Sequence, residues 1–246
     1  MTFKDFLKTD TTLELHKELN PKFWKDEKLD EEVNDKLISL AMYWAEYANI
    51  DKKLIVDVIL TGGNANYNYT SQSDLDVHLL INKDKLKCDK LVDDYILDKK
   101  ALWAMNHDIK VKGYPVEIFA QDIKQDTPAD QGVYSLLKKE WLVKPKKEFV
   151  DVNSKSFKLK VKHFISLIDY YINNNVQDLN ALEKLKEKIR LFRTAGLKTK
   201  GEYSYENLIF KELRNLGYID KLKDYTNKVI DQKFSFDNHK TIGKEL

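Results

Sequence analysis

Residues 54–81 read LIVDVILTGGNANYNYTSQSDLDVHLLI, and this stretch predicts the centre of the fold. It begins with an apolar run of strand length that ends at Gly62 and Gly63, where backbone N–H groups can approach an anion because no Cβ atom intervenes. Ten polar, turn-prone residues follow, and then Asp74-Leu75-Asp76 opens a second run that alternates as a strand does. The sequence therefore predicts two strands joined through a glycine turn that can hold a phosphate.

Three carboxylates are candidate metal ligands. Asp74 and Asp76 are two residues apart in the second predicted strand, so they share a face, and two like charges held that close need a cation. Glu117 lies between two apolar residues in 109–120, a stretch that alternates on both sides of a glycine and predicts a pair of strands. If its apolar neighbours bury one face, Glu117 points to the other face, where it can meet the aspartates. The alternative is a set of ordinary exposed carboxylates.

The glycine pair, the ten-residue spacer and the acidic-apolar-acidic tripeptide resemble the signature of the DNA polymerase β-type nucleotidyltransferase superfamily. Residues 60–69 and the region of Glu117 are also similar to uncharacterised nucleotidyltransferases of tailed bacteriophages. The motif resemblance covers residues 54–121. Many members have Gly-Ser where this chain has Gly62-Gly63, and that serine hydroxyl contacts the triphosphate, although members with Gly-Gly exist.

The resemblance implies a metal-dependent enzyme that moves a nucleoside monophosphate from a triphosphate such as ATP to an acceptor hydroxyl and releases pyrophosphate. It implies that Asp74 and Asp76 hold two Mg²⁺ ions, for which Mn²⁺ can substitute. Glu117 would complete the site of the ion that lowers the pKa of the acceptor hydroxyl, while Gly62 and Gly63 contact phosphate. The alternative is an inactive module that senses a nucleotide or holds a partner protein. Glycine at position 63 favours that alternative mildly, and the presence of all three carboxylates opposes it.

Hydrophobic periodicity predicts helices around these strands. Apolar residues recur at three- and four-residue intervals through 29–48, and mainly helical spacing returns in 83–105. We expect residues 1–20 to form a short amphipathic helix that ends before Pro21. The composition of 121–152 predicts a connection between two regions.

Residues after about 155 return to helical spacing. Three glycines lie where these helices should stop, namely Gly196, Gly201 and Gly217. We therefore predict an α+β fold, with a nucleotidyltransferase-type mixed sheet, flanking helices and a helical C-terminal region. Residues 1–150 would form the catalytic domain with N-terminal helices, and residues 151–246 the helical C-terminal domain.

The composition narrows the class of protein. The formal net charge is +2 over 246 residues, which argues against a general nucleic-acid coat protein. The single cysteine, Cys88, excludes an intrachain disulfide and fits a reducing compartment. No run has the length or apolarity of a signal peptide or membrane span, so we expect a soluble cytoplasmic protein, in the host cytoplasm if it is phage-encoded. The sequence has no Walker loop, dinucleotide glycine fingerprint or Ser/His/Asp spacing. Kinases, Rossmann oxidoreductases and hydrolases are therefore less favoured as alternative classes of protein.

A lysine-rich run extends from Lys138 to Lys162. Lys158 and Lys162 are four residues apart and share a face of the first C-terminal helix, where they are candidate triphosphate ligands in a wall of the nucleotide cleft. A solvated face is the alternative for most of the run. His78 fits a hydrogen-bonded core histidine better than a ligand, since Mg²⁺ prefers oxygen.

The acceptor is the least constrained part of the hypothesis. The near-zero net charge and only three arginines favour a compact acceptor over a long strand, because tracking a strand needs a continuous cationic groove. A nucleic-acid end, a protein side chain and a small molecule are all compact. The superfamily resemblance favours an RNA end, with protein nucleotidylylation as the alternative.

Overall fold

The computed structural model describes residues 10–85, 89–125 and 131–235. Described residues within 14–149 form one compact unit. Those within 1–13 and 150–246 form a second compact unit. The division into a catalytic domain over residues 1–150 and a C-terminal domain over residues 151–246 stays a prediction.

The first unit contains the sheet. Its described strands and α-helices are, in chain order, β1 (Trp24–Lys25), β2 (Lys28–Leu29), α1 (Glu31–Tyr47), β3 (Ile55–Thr61), β4 (Leu75–Ile81), α2 (Asp89–Asn106), β5 (Lys110–Val111), β6 (Tyr114–Asp122), β7 (Val133–Ser135) and β8 (Glu140–Val143). β1 and β2 form a separate hairpin, and the other six strands form one sheet in the order β5-β6-β4-β3-β7-β8. β4 and β6 are parallel, whereas the other neighbouring pairs are antiparallel. The predicted mixed sheet with flanking helices is therefore confirmed.

The core lies on one face of this sheet. Along β4 the residues alternate between buried and half-buried positions, with Leu75, Val77, Leu79 and Ile81 fully buried. α1 packs against β4, and its fully buried side chains include Trp44. This alternation leaves the opposite face of β4, which carries Asp76 and His78, available for polar chemistry.

The expected helix over residues 1–20 is wrong for residues 10–20, which are not helical, while residues 1–9 lie outside the described part of the chain. Backbone donors of this segment bond to distant acceptors. The Thr12 N–H donates to the Glu212 carboxylate at 3.0 Å, and the His16 N–H donates to the Tyr67 carbonyl at 2.8 Å. Such long-range partners satisfy the backbone where an isolated short helix would be only marginally stable.

The expected connection over 121–152 is wrong for residues 133–143, which contain β7 and β8. β7 pairs with β3, and β8 pairs with β7 at the sheet edge. The Trp141 ring of β8 stacks on the Trp24 ring, with centroids 4.7 Å apart. Strands of three and four residues are too short to show a clear period, so the pairing of β7 with β3 and of β8 with β7 decides their structure.

The second unit is helical. Its described α-helices are α3 (Lys155–Asn173), α4 (Leu179–Lys200), α5 (Tyr205–Asn215) and α6 (Tyr218–Phe234). Gly201 ends α4, and Gly217 precedes α6 with φ of 76°. Gly196, in contrast, lies inside α4, so the expectation that a helix stops there is wrong. A Cβ at Gly196 would lie 2.5 Å from the Glu206 Cβ, which shows that glycine permits close packing between α4 and α5.

Candidate active site

Strand pairing brings two acidic residues side by side. In the parallel pair of β4 and β6, Asp76 lies opposite Glu117, and in the antiparallel pair of β3 and β4, Thr61 lies opposite Asp76. Residues opposite each other on neighbouring strands point to the same face of a sheet. The sheet therefore places Glu117 on the face of Asp76, at the end of β3 where the glycine turn begins.

The carboxylates of Asp74, Asp76 and Glu117 converge, since one oxygen atom from each lies within 4.8 Å of the others. All three residues are half-buried. Carboxylate oxygens are the donors that Mg²⁺ and Mn²⁺ prefer, so this donor set fits a hard divalent cation. Within residues 10–85, 89–125 and 131–235, this is the group of His, Cys, Asp and Glu side chains that meets the geometry of a metal site.

Gly62 lies directly against the Asp76 carboxylate. Its φ of 74° and ψ of −161° form a conformation that is essentially restricted to glycine. A Cβ at this position would lie 1.6 Å from Asp76 Oδ2. Glycine is thus required at position 62 both by the backbone conformation and by the space that the Asp76 side chain fills.

Two buried asparagines hold the loop between β3 and β4. The Asn66 amide donates to the Gly62 carbonyl at 2.7 Å, and its side-chain oxygen accepts from the Gly132 N–H at 3.0 Å. The Asn64 amide donates to the Asp74 carbonyl at 2.8 Å. Neither asparagine side chain is exposed to solvent. These bonds fix the two ends of the loop, and therefore the glycine turn and the first aspartate.

The turn-prone composition of the spacer did not by itself predict this structural role. The alternation of asparagine at positions 64, 66 and 68 was the signal, since amides at alternate positions suit a loop whose backbone groups need internal partners. Asn68 is also buried.

Lys100 was also missed. It lies on α2, and its ammonium pairs with the Glu117 carboxylate. The same nitrogen lies 4.5 Å from the centroid of the Phe119 ring. Periodicity could not have identified Lys100, because a lysine on an amphipathic helix normally faces solvent.

His78 lies deeper on the acidic face. Its Nδ1 lies 2.7 Å from the Gln121 side-chain oxygen, and its ring contacts Phe119 with centroids 4.3 Å apart. Burial lowers the pKa of His78 to about 4, the Gln121 hydrogen bond opposes this shift, and the nearby charge of Lys100 adds to it. The predicted hydrogen-bonded histidine is confirmed, and the imidazole is neutral near pH 7.

Tyr67 and Tyr69, which follow the glycine turn, are packed within the first unit. The Lys147 ammonium lies 4.7 Å from the centroid of the Tyr67 ring. The Tyr69 ring stacks on His16 with centroids 3.8 Å apart. Both rings therefore already have protein partners.

The candidate triphosphate lysines are in the helical unit, on α3. The Lys158 side chain is 7% exposed and its ammonium lies 3.7 Å from the Asp10 carboxylate, while Lys162 is half-buried. This arrangement gives Lys158 an anionic partner within its own unit. The contact of either lysine with a triphosphate stays a prediction.

Comparisons with known proteins add little to this geometry. No family model and no curated protein matches the chain. Among solved structures, the chain is similar to a STING-associated CdnE c-di-GMP synthase from Capnocytophaga granulosa, with 13% sequence identity over 83% of this chain and 84% of that chain and a TM-score of 0.23. Because the identity and the TM-score are this low, the functional proposal rests on the site itself.

None of the helices in the described ranges has the length and apolarity needed to cross a membrane.

Proposed function

We propose that this protein is a metal-dependent nucleotidyltransferase, which transfers a nucleoside monophosphate from a nucleoside triphosphate to an acceptor hydroxyl and releases pyrophosphate. The observation that carries the proposal is the convergence of Asp74, Asp76 and Glu117 beside the Gly62 turn. A carboxylate cluster alone is common on protein surfaces. Here it adjoins a glycine turn of fixed conformation, which is the arrangement that the motif predicts.

Each part of the site has a role in this proposal. Asp74, Asp76 and Glu117 hold the divalent cations, and the turn at Gly62 and Gly63 offers backbone N–H groups to phosphate oxygens. The bound cations would neutralise triphosphate charge and lower the pKa of the acceptor hydroxyl. The buried asparagines keep the turn and the first aspartate in place, so the site needs little reorganisation when a substrate binds.

A compact acceptor fits the surface charges. Part of the positive charge in the lysine-rich run between Lys138 and Lys162 is paired within the protein. Lys144 lies 2.9 Å from a Glu27 oxygen, and Lys139 lies 3.5 Å from a Glu31 oxygen. Such pairing leaves less charge for a long polyanion. We propose an RNA end as the acceptor, with a protein side chain as the second candidate.

The first test measures pyrophosphate release. Wild-type protein is incubated with Mg²⁺, each nucleoside triphosphate and separate pools of RNA, DNA, protein and small alcohols. We expect Asp74→Asn and Asp76→Asn to abolish turnover while the protein stays folded, with an equal or higher Tm, because each variant removes one of several repelling carboxylates. Asp98→Asn, an exposed position on α2, is the control and should behave as wild type. Near-full turnover in both site variants would refute metal catalysis at this cluster.

The second test identifies the acceptor from a product ladder. With labelled triphosphate and an RNA primer, we expect addition of one or a few nucleotides, with a yield that falls as salt is raised. Long, salt-insensitive extension would contradict a compact acceptor. A labelled protein band in place of RNA would favour protein nucleotidylylation. Triphosphate binding without turnover on any pool would favour the inactive nucleotide-binding module.

A further inference from the structure

Lys100 is placed to act on the metal site through Glu117. Glu117 and Phe119 are two residues apart on β6 and share a face, and the Lys100 ammonium contacts both side chains. The Lys100 side chain is 28% exposed and that of Glu117 is 40% exposed. The ring and the carboxylate together define one position for the ammonium.

This position sets up a competition. A divalent cation held by the three carboxylates would lie close to the Lys100 ammonium, because both cations bind Glu117. Like charges raise each other's free energy, and the Glu117 carboxylate that binds the metal loses part of its attraction to lysine. We propose that Lys100 competes with the metal for the Glu117 carboxylate and thereby lowers the affinity of the site for a divalent cation.

This inference rests on the proposed function only in assuming that the three carboxylates bind a divalent cation. A purely structural ion pair would instead affect stability and leave metal affinity unchanged. The two roles therefore differ in a quantity that can be measured without turnover.

The experiment is calorimetric titration of Mn²⁺ into metal-free protein, with folding checked by circular dichroism in EDTA. We expect Lys100→Met to bind Mn²⁺ at least about tenfold more tightly than wild type, since a unit charge a few ångströms from a divalent cation has an effect of that size even in salt-containing water. Lys100→Gln should show the same direction and serves if the methionine variant folds poorly. Lys100→Arg, which keeps the charge, should remain near wild type.

Lys99 provides the matched control on the same helix. Its ammonium lies 5.0 Å from the centroid of the Tyr47 ring and 5.4 Å from that of Tyr95. Lys99→Met should therefore leave the Mn²⁺ affinity at the wild-type value. In a Glu117→Gln background, the effect of Lys100→Met should shrink, because the shared carboxylate is gone.

The outcomes separate the two hypotheses. If wild type does not bind Mn²⁺, the metal site of the proposed function is wrong. If wild type binds Mn²⁺ and the uncharged Lys100 variants bind it equally or more weakly, the competition is wrong while the metal site stands. An effect of the same size in Lys99→Met would show a general charge effect and would also overturn the specific role of Lys100.

Discussion

Gly62→Ala tests whether the turn and the carboxylate cluster are one structure. The new methyl group would occupy the space of the Asp76 carboxylate, since its carbon would lie 1.6 Å from Oδ2 and 2.6 Å from Cγ. The glycine backbone has little freedom to retreat, because Asn66 binds the Gly62 carbonyl. We therefore expect the Asp76 side chain to move away from its partners.

The loss in free energy of unfolding that we expect for Gly62→Ala has two parts. Holding a non-glycine residue in this conformation costs about 1–3 kcal/mol. Displacing a half-buried carboxylate and its neighbours adds about 1 kcal/mol or more. A total loss of about 2–4 kcal/mol corresponds to a fall in Tm of about 5–15 °C for a chain of this size. Metal affinity should fall more than tenfold, because one of three ligands is misplaced.

Gly113→Ala separates these two parts. Gly113 has φ of 88° in the turn between β5 and β6, and an added Cβ would meet no atom within 4 Å. This control should therefore show only the backbone cost, about 1–2 kcal/mol, with Mn²⁺ binding unchanged. The assays are urea denaturation in EDTA and Mn²⁺ titration. Wild-type Mn²⁺ affinity in Gly62→Ala would refute the claim that Gly62 positions Asp76.

Three further predictions concern other residues. Burial lowers the pKa of His78 to about 4 from an ordinary 6.5, so its contribution to stability is complete above pH 6.5 and is lost as the pH falls toward 4. Urea denaturation in EDTA should therefore show that the free energy of unfolding falls by up to about 3 kcal/mol over this pH range. The same loss should be absent in His78→Gln. Lys158→Ala and Lys162→Ala should each weaken triphosphate binding measured by calorimetry and leave the fold intact, because each variant removes a predicted cationic ligand of the triphosphate. Glu212→Ala should lower the free energy of unfolding by about 2–3 kcal/mol, because the buried carboxylate accepts from the Thr12 N–H at 3.0 Å and the Thr12 hydroxyl at 2.6 Å.

Exposed neighbours serve as controls for these variants. Lys155→Ala should leave triphosphate affinity unchanged, and Glu183→Ala should leave the free energy of unfolding nearly unchanged, since both residues lie at exposed positions in the helical unit. Unchanged triphosphate affinity in both Lys158→Ala and Lys162→Ala would contradict the prediction that these lysines bind triphosphate. A Glu212→Ala variant as stable as wild type would show that Thr12 finds other partners.

The sequence by itself determined the parts of the site whose geometry is local. Alternation along the predicted strand puts Asp74 and Asp76 on one face, although β4 itself begins at Leu75. The apolar neighbours of Glu117 likewise predict that its side chain points to the opposite face of its strand. Gly62 marks the turn because residues other than glycine adopt its backbone conformation only at a cost. Helical periodicity likewise predicted α1 and α3, in which buried residues recur at three- and four-residue intervals.

Tertiary structure decided the features that depend on partners distant in the chain. The parallel register of β4 and β6 sets Asp76 opposite Glu117, and no local pattern specifies that register. Lys100 joins the site only because α2 brings its ammonium to Glu117. β7 forms because β3 offers an open edge, and residues 10–20 lack a helix because their backbone donors find distant acceptors. These features have one physical reason in common. A local pattern determines the direction in which a side chain points, whereas hydrogen bonds and ion pairs between remote segments determine which residues it contacts.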